Sequence, residues 1–78
     1  SMHLSRITID PAQCAGEPCI RNLRIPVATV MRMLGQGMSI AEVCAELPDL
    51  VPDDVLDALR FAAAAVREHT LPPLALSA

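Results

Sequence analysis

Few side chains in this 78-residue sequence could do chemistry, and the arginines come first. Arg21 and Arg24 flank Asn22-Leu23, and Arg32 follows eight residues later. All six basic residues are arginine and none is lysine, which suits forked contacts to carboxylate or phosphate. If Asn22-Leu23 is a two-residue hairpin turn, Arg21 and Arg24 face each other across it. Like charges so placed repel unless an anion or a carboxylate lies between them. Arg21, Arg24 and Arg32 are therefore candidates for DNA phosphate contact. The competing assignment is a salt bridge to Glu17 or to the acids of a partner chain.

The remaining candidates exclude more than they offer. Cys14 and Cys19 could supply two metal ligands, but no second pair and no nearby histidine completes a tetrahedral set. No metal site is expected. Three cysteines do not pair out evenly, and free thiols in a reducing cytoplasm are the simplest account. No serine, cysteine or histidine nucleophile has a base and an orienting group nearby, so no catalytic residue is assigned and the chain is not read as an enzyme. Asp53, Asp54 and Asp57 open a helix, where acids belong. Gly35-Gln36-Gly37 follows a helix rather than preceding one, so it is not a phosphate-cradling loop, and no cofactor is implied.

The elements that must position these residues read from the N-terminus as follows. Ser1 ahead of Met2 looks like an expression scar, and residues 1–6 are expected to be flexible. Ile7-Thr8-Ile9 alternates as a short strand, stopped by Asp10-Pro11. Gly16 is the place for a positive φ in the turn that follows. Cys19-Ile20-Arg21 and Arg24-Ile25 form the hairpin, which places strand and hairpin within residues 7–26.

Three helices then fill residues 27–69. Val27, Val30, Met31 and Leu34 make a helical stripe, ended by Gly37 as a left-handed cap with Met38 as its apolar contact. Ser39 and Glu42 form a capping box ahead of a second stripe, Ile40, Val43, Cys44 and Leu47. Pro52 opens the third helix, whose expected buried stripe is Val55, Leu59, Ala62 and Val66. Two prolines prevent this helix from continuing, leaving residues 70–78 as an apolar tail.

Hydrophobic residues make up 53% of the chain, yet only Phe61 is aromatic, so the core must be helix packing with small residues. Residues 1–38 carry four arginines against two acids, net +2, and residues 39–78 carry two arginines against seven acids, net −5. An anionic partner should meet the first half and a basic partner the second. Chains this short rarely stabilise themselves by more than about 3–5 kcal/mol, and a hairpin leaves an open strand edge. A homodimer is expected, with Ile7, Ile9 and Ile20 on the strands and Leu71, Leu74 and Leu76 in the tail as candidate contacts to the second copy or to another protein. No apolar run approaches the ~20 residues of a membrane span, so the protein is expected to be cytoplasmic, without a membrane partner.

One block is specific. Ile7-Thr8-Ile9-Asp10-Pro11, followed by Cys14-Ala15-Gly16-Glu17-Pro18-Cys19-Ile20-Arg21-Asn22-Leu23-Arg24-Ile25-Pro26-Val27, resembles the bacterial domain of unknown function 433 family, which overlaps VapB-type antitoxins. Leu34-Gly35-Gln36-Gly37-Met38-Ser39 and Leu47-Pro48-Asp49-Leu50-Val51-Pro52-Asp53-Asp54-Val55 match its later blocks. The resemblance implies a mainly α, homeodomain-like helix-turn-helix bundle of three helices with an N-terminal strand and hairpin. It also implies an antitoxin of a toxin–antitoxin pair that binds a PIN-like nuclease and operator DNA. The alternatives are a stand-alone DNA-binding transcriptional regulator, or a protein-interaction module without DNA contact. Four positions depart from the family pattern. Ala15 and Asn22 stand where glycine is usual, Glu17 replaces a lysine, and Val51 replaces a capping threonine, a loss of about 1 kcal/mol.

Overall fold

The computed structural model of the chain describes residues 6–10, 12 and 16–69. Three short strands, β1 (Ile7–Ile9), β2 (Pro18–Ile20) and β3 (Ile25–Pro26), precede three helices, α1 (Val27–Gly35), α2 (Ile40–Glu46) and α3 (Pro52–His69). The sheet is antiparallel in the order β1-β2-β3, with Ile7 opposite Ile20 and Ile20 opposite Ile25. The fold is thus mainly α, with a small N-terminal sheet. Among the described residues no helix is long and apolar enough to cross a membrane.

The turn between β2 and β3 differs from the expected hairpin. Four residues, Arg21 to Arg24, separate the strands, because the pair that closes the loop is Ile20–Ile25. Positive φ falls on the two arginines, 47° at Arg21 and 60° at Arg24, and not on Asn22. For a residue with a Cβ this conformation costs roughly 1–2 kcal/mol. At Arg21 the backbone is fastened on both sides: its N–H donates to the Arg6 carbonyl at 2.6 Å, and its carbonyl accepts from the Thr8 hydroxyl at 2.7 Å.

The helix ends follow their local sequence. At the end of α1, Gly37 has φ 96°, its N–H reaches the Leu34 carbonyl, and the Met38 N–H reaches that of Met33. This is a complete Schellman motif. Ser39 accepts from the Glu42 N–H while Glu42 accepts from the Ser39 N–H, which closes the capping box of α2.

Ile20, Val27, Val30, Val43, Leu50, Val55 and Ala58 form the buried core, with Phe61 packed against it. The face that α3 turns inward keeps Val55 and Ala62 of the expected stripe but not Leu59 and Val66. Asp54, Val55 and Ala58 are buried and Phe61, Ala62 and Ala65 are half-buried, whereas Leu59 and Val66 are exposed. An alanine-rich helix has no strongly polar face through its middle, so its rotation is set by what its first turn must bury.

The cysteines also differ from expectation. Cys44 is a free thiol, but Cys19, fully buried, is disulfide-bonded. An odd cysteine count requires one unpaired thiol and says nothing about the others.

Candidate functional site

Asp54 is the one buried charged side chain among the described residues. It sits in the first turn of α3, where a carboxylate can reach back to the free N–H groups of the helix start. Its Oδ2 accepts from the Val51 N–H at 3.0 Å. Val51 itself has no capping hydroxyl, so the aspartate at the third helical position supplies half of a capping box alone.

Two arginines from the sheet end converge on the same carboxylate. Arg21 forks onto it, with Nε donating to Oδ1 at 3.0 Å and Nη2 to Oδ2 at 2.8 Å. A second bond from Arg21 Nη2 reaches the Asp49 carbonyl at 3.1 Å. Arg6 Nη1 donates to Asp54 Oδ1 at 3.1 Å, with Asp57 at 3.5 Å and Asp53 at 3.9 Å from other nitrogens of its guanidinium. Asp57 in turn accepts from Arg60 at 2.8 Å. The bonds to Asp54 account for its lone pairs, the condition under which a buried charge is tolerated.

The electrostatics follow from this geometry. The Arg21 fork holds the Asp54 carboxyl down at about 2, against the opposing pull of burial and with help from the Val51 N–H and Arg6. The same bond raises Arg21 further above its already high value, again opposed by desolvation. The acid stays ionised at any physiological pH, so the junction is a standing ion pair. Its effect is to tie residues on either side of β1 and β2 to the start of α3.

The structure separates the three arginines read as DNA candidates. Arg21 is committed to Asp54. Arg24 and Arg32 are exposed and have no ion-pair partner among the described residues. The carboxylate that Arg21 meets is not Glu17 but Asp54, 33 residues further along the same chain.

Of the apolar contact candidates, Ile20 is completely buried and has no surface to offer, Ile7 is half-buried against the core, and Ile9 is 63% exposed at the end of edge strand β1. Leu71, Leu74 and Leu76 lie outside the described residues. Arg6 was not anticipated by sequence reasoning. The available signal was Val51 in place of a capping threonine, which leaves Asp54 as the group that must close the helix start.

Residues 7–62, most of the chain and including every residue of this junction except Arg6, match the family model described as "Protein of unknown function (DUF433)". The chain belongs to the DUF433 family. This DUF433 protein is also similar to a solved structure, that of a DUF433 member from Anabaena variabilis, at 33% sequence identity and a TM-score of 0.75. The match covers 81% of this chain and 62% of the Anabaena one, so the chain spans less than two thirds of that relative's length. Among curated proteins none matches it.

Proposed function

We propose that this DUF433 protein is an antitoxin-like component of a bacterial type II toxin–antitoxin pair, acting as a protein-binding module that engages a basic, PIN-like nuclease through its acidic half. The observation that carries this reading is the unequal fate of the charges. Two of the first-half arginines, Arg6 and Arg21, are spent on Asp54, while Glu46 is exposed without a cationic partner among the described residues and Asp49, exposed too, feels only the field of the already committed Arg21. Asp53 is 72% exposed at its side chain. A surface of this sign is complementary to the cation-lined cleft of an RNA-cutting enzyme and steers the encounter with it.

The α2–turn–α3 unit has helix-turn-helix proportions, with α3 in the place of a recognition helix. Its leading end carries Asp53 and Asp57, which repel phosphate, so docking of this end in a major groove is disfavoured. A second reading, operator binding, rests on Arg24 and Arg32, which remain exposed and unpaired among the described residues. It uses the β2–β3 loop and α1 in place of α3. A homodimer fits both readings, with edge strand β1 and its exposed Ile9 as the pairing element.

Affinity purification of the tagged chain from its source, with mass spectrometry of what accompanies it, tests the proposal. A small nuclease in stoichiometric amount, released by salt, is the expected result. Recovery of the chain alone overturns it. Promoter binding that disappears in an R24A/R32A variant would establish the operator reading, and micromolar monomers in light scattering would remove the dimer.

A further inference from the structure

An apolar groove of about 370 Å³ runs between α1 and the second half of α3. Val27, Ala28 and Met31 form one wall and Phe61, Ala65 and Val66 the other, with Glu17 as the single charged residue at the rim. Val66 is 53% exposed there. Its size falls in the range of pockets that enclose a compact apolar ligand, and left open it presents a continuous apolar surface to water.

We propose that this groove is the seat of the segment that follows α3 in the same chain, with Leu71, Leu74 and Leu76 laid against Met31, Phe61 and Ala65. The inference does not depend on the antitoxin reading, which uses the acidic surface. Chemistry matches first: residues 70–78 contain no charged side chain and three leucines, and the groove is apolar apart from Glu17. Position matches next. The segment starts four residues beyond Val66, at the rim, and Pro72-Pro73 disfavour its continuing as helix.

Reach also suffices. Folding back from His69 to Phe61 covers about 12 Å of helix, and residues 71–76 in extended, polyproline-like form span about 19 Å. A segment tethered this closely acts at millimolar effective concentration. It therefore outcompetes the same segment of a second copy at micromolar protein.

Methyl NMR on the full chain tests the proposal. Phe61 is the only phenylalanine, tyrosine or tryptophan, so the upfield shift of a leucine methyl seated on its ring is the part that F61L removes. The expected result is upfield-shifted methyls among Leu71, Leu74 and Leu76, with cross-peaks to the Met31 methyl that are missing from an isotope-filtered spectrum of mixed labelled and unlabelled chains. In F61L, which keeps the site apolar, the upfield shift should be lost while the Met31 cross-peaks persist. In L74D/L76D both should be lost. Tail methyls at random-coil positions without cross-peaks would overturn the proposal. Cross-peaks seen only between labelled and unlabelled chains would overturn it as well, since the groove would then hold a second copy.

Discussion

At the residue scale, Asp54 carries the largest single consequence. Its carboxyl is held at about 2 against an ordinary 3.8, so at intermediate pH the unfolded chain binds a proton that the folded chain does not. Stability therefore rises with pH across this interval: the contribution is complete above about pH 5 and is lost as pH falls towards 2. Converted at 1.36 kcal/mol per pK unit, it amounts to about 2 kcal/mol. Urea unfolding of wild type and D54N should differ by at least this amount at pH 7 and converge near pH 2. A D54A variant goes further, because it strands Arg6, Arg21 and the Val51 N–H together. Arg6 and Arg21 keep access to water, so the added cost is chiefly that of the unpaired Val51 N–H, roughly 1–3 kcal/mol. D54A should therefore melt below D54N at pH 7 by circular dichroism.

At the element scale, the two helix starts make opposite predictions. α2 has both halves of its capping box, so S39A should lose about 1 kcal/mol. α3 has only the Asp54 half, so V51T, which adds the missing hydroxyl at an exposed position, should gain about 0.5–1 kcal/mol. Thermal denaturation of both variants beside wild type measures each. The rotation of α3 yields a sharper contrast. Ala58 is fully buried and Leu59 is 39% exposed. Enlarging the first in A58L should cost about 1–3 kcal/mol through overpacking, while L59A should cost less than about 1 kcal/mol. A stripe through Leu59 would have reversed that order.

At the scale of the whole molecule, the +2 and −5 halves of the sequence are not two separate surfaces. Asp54 draws Arg6 and Arg21 onto the start of α3, so part of the positive half is cancelled inside the fold and the acids of α2 and its following turn remain outside. Long-range steering by such a surface acts on association rate and is screened by salt. For a nuclease partner, an E46K/D49K variant should associate several-fold more slowly than wild type at low salt and at nearly the same rate at high salt, read by surface plasmon resonance. Unfolding midpoints should fall only slightly, because both side chains are exposed and only Asp49 lies in the field of Arg21.

What local physics controls was legible in the residue order alone. Alternation marked β1, i, i+3, i+4 spacing marked α1 and α2, and Gly37, the Ser39–Glu42 box and Pro52 marked their ends, since each device acts within a few residues of itself. It also carried the family, through a block whose residue order is specific. Three features were decided only by the tertiary structure. The β2–β3 loop took four residues with positive φ on arginines, because its closing pair belongs to the sheet register and its backbone is held by Arg6 and Thr8. The inward face of α3 was set by Asp54, Val55 and Ala58, because a run of alanines states no preference. Arg21 found its carboxylate 33 residues away because opposite charges pair wherever the fold brings them together, and no spacing rule along the chain encodes such a meeting.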